Sequence, residues 1–97
     1  MFPVILRPEA EADVGEIFAY LEDVRPSVGT KFSQRLREAM ELIESAPELH
    51  GIVWENVRAV RLRKFLYVAY YVVFDDRVEV LAVMHGARDS TTWHSRL

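Results

Sequence analysis

The chain has 97 residues, of which 51% are hydrophobic and 28% charged, and it has no cysteine. This length predicts one domain over residues 1–97, and the composition excludes a disordered chain, a disulfide scaffold and a thiolate metal site. The charge is uneven, since residues 1–56 carry five basic and eleven acidic side chains and residues 57–97 carry seven basic and four acidic ones. A basic second half predicts a charged binding surface there, but not a surface that coats nucleic acid.

The first half of the chain predicts one strand and two helices. Apolar residues 2–7 predict a short strand, and Pro8 can open a helix because proline fits the first helical position. Apolar residues then recur at helical spacing until Pro26 ends this helix. A second helix is predicted to start at Ser27, as its N-cap, and to end before Pro47. Two such helices with a short break predict a helical hairpin.

The second half predicts three antiparallel strands. They cover residues 57–63, 65–74 and 78–85, and the short connection between the last two predicts a hairpin. The middle one of these strands is apolar or aromatic on both faces, and the two helices can cover only one face of the sheet. The other face must be covered by the C-terminal tail or by a partner. The predicted fold class is α+β, with a strand, a helical hairpin and a three-stranded antiparallel meander.

Basic residues are concentrated where the first strand of the meander ends. Arg61 and Arg63 share one face of that strand by its two-residue period, and Lys64 follows them. Arginine can hold a phosphate or a carboxylate through two hydrogen bonds, so these residues could form a compact anion site beside the aromatic strand. Alternatively, the charges are solvated and prevent edge-to-edge aggregation. The sequence supports both interpretations equally.

A histidine closes the last strand. His85 could act as an acid or base and, with Arg88 nearby and an arginine to stabilise a phosphorane, could support RNA cleavage by a 2′-hydroxyl. The favoured interpretation is that His85 bonds to backbone groups and closes the sheet, because no catalytic partner is visible for it. His50 and His94 have no partner at ligand spacing and are interpreted as solvated.

The other polar and aromatic residues predict structure rather than chemistry. The first helix carries the carboxylates of Glu9, Glu11, Asp13 and Glu16. They predict a solvated face that the helix dipole stabilises, rather than a metal site. Trp93 is predicted to cap the core, and Tyr67, Tyr70 and Tyr71 to lie in it, with a contact role left open where the sheet face is uncovered. There is no glycine-rich phosphate loop and no serine nucleophile motif, so no cofactor is expected.

The order of elements and several local patterns resemble those of the RelE/ParE toxin superfamily of type II toxin–antitoxin systems. The resemblance covers nearly the whole chain. Its motifs are Ala12–Ile17 with Tyr20, Phe32 with Leu36, Ala46-Pro47, Val60-Arg61, Tyr70–Val73, and Val80–Asp89 followed by Trp93 and Arg96. Together, in this order and at these spacings, they form a specific match.

The resemblance implies two activities from different classes. RelE-like members are ribosome-dependent endoribonucleases that cut mRNA, whereas ParE-like members poison DNA gyrase and lack the ribonuclease residues. The tail pattern from His85 to Trp93 is closer to ParE-like plasmid stabilisation proteins. It therefore implies a gyrase inhibitor that is not an enzyme. The alternatives are a ribonuclease that uses Arg61, His85 and Arg88, and a non-toxic binding module of the same fold.

The resemblance also implies a partner. A cognate antitoxin is expected to wrap the toxin with its C-terminal segment in a hetero-oligomer, and an acidic, partly apolar segment would complement the basic second half. The expected contact residues are Arg61, Arg63, Lys64, Tyr67, Tyr71, Arg88, Trp93 and Arg96. No apolar run is long enough for a membrane helix and no signal peptide is visible, so a cytoplasmic protein is expected.

Overall fold

A computed structural model describes residues 2–97, in which a five-stranded sheet lies between a helical hairpin and the C-terminal tail. The elements are β1 (Val4–Leu6), α1 (Pro8–Val24), α2 (Val28–Ser45), β2 (Ile52–Trp54), β3 (Val57–Arg61), β4 (Tyr67–Val73), β5 (Val78–His85) and α3 (Thr91–His94). The strand order is β1-β5-β4-β3-β2; β1 is parallel to β5, and the other neighbours are antiparallel. The predicted α+β fold is confirmed.

Three details of the sheet differ from the sequence prediction, and one is that the strand predicted over residues 65–74 runs only from Tyr67 to Val73. Strand β2 was not predicted, because three residues are too few to show a two-residue alternation. Strand β3 ends at Arg61 rather than at residue 63, because the chain turns there. The Leu62 N–H donates to the Tyr67 carbonyl at 3.0 Å, and Lys64 takes a left-handed backbone with φ of 67°. The turn therefore uses two residues that the prediction gave to the strand.

The helical hairpin is confirmed, but its connection is built differently. Ser27 occupies the predicted N-cap position, and its carbonyl accepts from the Lys31 N–H at 3.2 Å, but its backbone is left-handed, with φ of 75°, and its side chain makes no capping hydrogen bond. The Glu22 carboxylate instead accepts from the N–H groups of Ser27 and Thr30, both at 3.3 Å. A Cβ at Gly29 would lie 2.7 Å from Glu22 Cγ, so glycine permits this close crossing.

The sheet has a buried core on each face. Helical residues such as Phe32 and Ile43 pack on one face, and Trp93 from the tail packs on the other. Residues of β4 alternate between the two cores, with Tyr71 in the first and Tyr70 in the second. A bulge in β5 opposite these tyrosines shifts its register. Of the two covers that the sequence left open for this face, the tail or a partner, the tail packs on it.

Candidate functional site

The predicted basic residues meet at one end of the sheet. The turn after β3 is joined to the start of β4 through Leu62 and Tyr67, and Tyr67 lies opposite His85 at the end of β5. The Gly86 N–H continues this edge by donating to the Leu66 carbonyl at 2.7 Å. We call this surface the basic end of the sheet; it comprises Arg61, Arg63, Lys64, His85 and Arg88.

Three of these side chains have no acidic partner. Arg61 donates from Nε to the Phe65 carbonyl at 3.1 Å. Within residues 2–97, no carboxylate oxygen lies within 4.0 Å of a charged atom of Arg61, Lys64 or Arg88, and all three are exposed. Their positive charge is therefore available to an anionic ligand.

Arg63 differs from the other basic residues. Its Nε lies 3.4 Å from Glu38 Oε1, and hydrogen bonding to Arg63, followed by the charge of Arg35, holds the pKa of the exposed Glu38 carboxyl below its usual range. Because the Arg63 side chain is 63% exposed, this pair contributes little to stability and is easily exchanged for another acid. An apolar side chain completes the surface, since Leu66 is 57% exposed in the same turn.

His85 has the structural contacts that were favoured from sequence. Its Nδ1 accepts from the Ala87 N–H at 3.1 Å, and its ring stands edge-on to Tyr67 at 5.8 Å between centroids. A cleft of ≈ 120 Å³ beside it is lined by Asp13, Glu16, Tyr67, His85 and Arg88 among others. Burial raises the pKa of Tyr67, so that phenol stays neutral at pH 7. The cleft therefore sets the carboxylates of Asp13 and Glu16 beside the basic groups of His85 and Arg88, and it is not a purely cationic site.

Two expected contact residues lie inside the fold. Tyr71 is fully buried and donates from its hydroxyl to the Pro47 carbonyl at 2.6 Å, and burial raises its pKa. Trp93 is 3% exposed and stacks on Tyr70 with 4.4 Å between ring centroids. The core interpretation of both residues is therefore confirmed, and neither is part of the surface of the basic end. Tyr67 is half-buried, edge-on to Phe32 at 5.4 Å.

The expected contact Arg96 forms an ion pair with a residue that the sequence prediction misassigned. Its guanidinium donates to both carboxylate oxygens of Asp13, at 2.6 and 3.2 Å, and to the Leu81 carbonyl at 3.2 Å. Asp13 also accepts from the Val83 N–H at 3.0 Å, so the prediction of a solvated Asp13 is wrong. A signal was present, because Asp13 lies three residues after buried Ala10, on the apolar stripe of α1.

The solvated interpretation of the other two histidines is also wrong. His94 stacks on Trp54 with 3.8 Å between ring centroids and an angle of 7° between planes. His50 meets Tyr71 edge-on at 6.4 Å, and its Nε2 is buried. Both rings contact aromatic residues that are distant in sequence, so no local sequence pattern predicts these contacts.

Residues 2–97 contain no group of three histidine, aspartate or glutamate side chains placed to hold a metal ion. Within the same range, no helix is both long and apolar enough to cross a membrane.

Comparisons with known proteins agree with this architecture. The family model described as "ParE toxin of type II toxin-antitoxin system, parDE" matches residues 4–90. Toxin ParE2 of Mycobacterium tuberculosis, in strains CDC 1551 / Oshkosh and ATCC 25618 / H37Rv, is 30% identical over 77 residues, which is 78% of this chain and 73% of the relative. A solved structure of the chromosomal ParDE TA system from P. aeruginosa superposes with a TM-score of 0.77 and 19% identity, over 88% of this chain and 96% of the other.

Proposed function

We propose that this chain, which belongs to the ParE toxin family of type II toxin–antitoxin systems, inhibits DNA gyrase and is neutralised by a cognate antitoxin. Membership in this family makes the chain the toxin component of such a system. The target and the mode of neutralisation are the parts we propose. Both would place the action of the protein in the cytoplasm, where gyrase acts on DNA.

The basic end of the sheet is the observation that supports this proposal. Arg61, Lys64 and Arg88 present positive charge without an acidic partner in residues 2–97, and Leu66 offers apolar area among them. An acidic, partly apolar antitoxin segment would complement both features. If the same surface contacts gyrase, a bound antitoxin prevents that contact by occupying it, so neutralisation needs no change of fold.

The expected contact residues then have two roles. Arg61, Arg63, Lys64 and Arg88 are proposed to touch the partner, with Tyr67 at the border of the surface. The others act indirectly, because Tyr71, Trp93 and Arg96 are engaged within the fold. A substitution in the second group should change stability together with inhibition, whereas one in the first group should change inhibition alone.

A gyrase supercoiling assay tests the proposal. The wild-type chain is expected to inhibit supercoiling, and the double variant Arg61→Ala/Lys64→Ala to need roughly tenfold more protein for the same inhibition, since interface charges act on association. The double variant Arg25→Ala/Lys31→Ala is the matched control. It removes the same charge from exposed positions just after α1 and in α2 that also lack an ion pair within residues 2–97.

Three outcomes would contradict the proposal. Wild-type protein that leaves supercoiling unchanged at high excess removes gyrase as the target. Equal losses in the two double variants remove the basic end as the contact surface. Codon-phased cuts in translated mRNA, mapped by primer extension and abolished by His85→Ala, establish the ribonuclease alternative instead.

The antitoxin is identified by selecting genes that restore growth when this chain is expressed. The products of these genes should bind the double variant Arg61→Ala/Lys64→Ala more weakly than they bind the wild-type chain.

A further inference from the structure

Strand β2 has an unpaired outer edge. It is the last strand of the sheet, and its inner side pairs with β3, where Ile52 lies opposite Arg58. The Ala59 N–H donates to the Gly51 carbonyl at 3.2 Å, so Ile52 and Arg58 form a pair that exchanges no hydrogen bonds. The N–H and carbonyl of Ile52 therefore point away from the sheet, where an additional strand would meet them.

This edge carries unusually exposed apolar side chains. Leu49 is 78% exposed, Ile52 57% and Val53 54%, and they are close together in the chain. Strand β2 is short, which limits pairing with another chain, but its three side chains carry no charge that would prevent it. Contiguous exposed apolar residues on an open edge indicate a contact site.

A groove opens on each side of β2. Ile52 lines a groove of ≈ 340 Å³ together with Phe2, Glu48, Val73 and Asp75. Val53 lines a second groove of ≈ 370 Å³ whose walls are largely aromatic; they include Trp54, Tyr70, Trp93 and His94. Because successive side chains of a strand point to opposite faces, a strand added beside β2 would place alternate side chains toward the two grooves.

The charges around the edge indicate the chemistry of the occupant. Glu48, Glu55 and Asp75 are exposed, and within residues 2–97 no basic group lies within 4.0 Å of their carboxylates. Arg58 lines the same groove as Glu48 and Asp75, and its guanidinium donates to the carbonyls of Glu48 and His50. Two carboxylates against one guanidinium leave this groove with net negative charge, so it favours basic side chains, while the aromatic groove favours aliphatic ones.

The same charges argue against a second copy of this chain as the occupant. Its β2 edge would bring another set of Glu48, Glu55 and Asp75 to the pairing, and like charges repel.

We propose that the outer edge of β2 binds an extended segment of a partner protein that alternates aliphatic residues with lysine or arginine, as a sixth strand of the sheet. This surface is distinct from the basic end in position and in charge. The proposal does not depend on gyrase being the target, because it concerns an edge that selects a basic rather than an acidic segment.

A peptide titration tests the proposal. The probe is a short acetylated peptide that alternates lysine and valine, titrated into the isotope-labelled full chain while amide NMR shifts are followed. We expect saturable shifts at residues 49–54 and 58–59. A peptide that alternates glutamate and valine should bind at least about tenfold more weakly, since it meets the same carboxylates. Equal binding of the two peptides, or shifts centred on β1, would overturn the proposal.

Two variants isolate the backbone contact. Ile52→Pro removes the outward N–H, which edge strands tolerate, and Ile52→Ala removes the same aliphatic bulk but keeps the N–H. We expect Ile52→Pro to bind the lysine–valine peptide about fivefold more weakly than Ile52→Ala, the effect of one hydrogen bond. If Ile52→Pro does not fold, the backbone contact is tested instead with a lysine–valine peptide that is N-methylated along one edge. This peptide must lose binding to the wild-type chain. Equal affinities, or peptide-free association of the chain through β2, would refute the proposal.

Discussion

The two faces of the sheet are covered in different ways. On one face, α1 and α2 contribute long helices whose buried residues include Phe32, itself edge-on to Phe65 and Tyr67. On the other face, the cover is the one-turn helix α3, which contributes the single buried side chain of Trp93. The first cover is held by apolar area along two helices. The second relies on the ring contacts of Trp93 and His94 and on a polar contact at the end of the tail.

The polar contact closes the tail onto the first helix. Arg96 binds Asp13 through both carboxylate oxygens, and its backbone carbonyl accepts from Arg7 Nη1 at 2.5 Å. Residues 86–90, which lead to α3, are all exposed, so they add little to its docking. The buried Trp93 Nε1 has no hydrogen-bond partner within residues 2–97, and an unmade bond of this kind weakens the packing it belongs to. The tail should therefore open at a lower free energy than the hairpin.

The largest expected effect separates the two covers directly. Phe32→Ala should lower the free energy of unfolding by about 3–5 kcal/mol, since it leaves a cavity at the centre of the helix-covered core. Trp93→Ala should lower it less, because the tail can detach while the hairpin stays packed. Denaturant unfolding measures the first effect, and hydrogen exchange of β4 and β5 amides measures local opening. Equal losses in the free energy of unfolding for both variants, in one cooperative transition, would show that the two faces of the sheet unfold together.

A smaller effect is expected at the polar contact. Asp13→Ala should lower the free energy of unfolding by about 2 kcal/mol, because it leaves the Arg96 guanidinium and the Val83 N–H without their partner. The matched control is Glu9→Ala, which removes an exposed carboxylate of the same helix. We expect the tryptophan fluorescence of Asp13→Ala to change before the far-UV circular dichroism as denaturant is added. Coincident transitions would indicate that the tail is not separately released.

The same comparison explains what could be predicted from the sequence. The two-residue period of β4 is local, so it revealed two apolar faces and the need for two covers. The pairing of Asp13 with Arg96 joins residues that are 83 positions apart, and only the misplaced aspartate on an apolar stripe hinted at it. The basic end was visible as a cluster in the sequence. The shape of this surface depends on the residue at which β3 ends, and the strand pattern alone does not predict that residue.

The smallest expected effect lies at the turn of the basic end, away from both cores. Lys64 holds a left-handed backbone with φ of 67°, which costs a side chain about 1 kcal/mol relative to glycine. Lys64→Gly should therefore raise the free energy of unfolding by about 0.5–1 kcal/mol, less the entropy that glycine adds to the unfolded chain. Thermal unfolding measures this gain.

The same substitution separates stability from contact. Lys64→Gly removes one uncompensated charge while it relieves backbone strain, so a more stable protein should inhibit its target less. Lys31→Gly, at an exposed position in α2, is the opposite control, since it should lower stability and leave inhibition unchanged. A Lys64→Gly variant that gains stability and inhibits as well as wild type would show that Lys64 shapes the turn and does not touch the partner, leaving Arg61 and Arg88 to carry the contact.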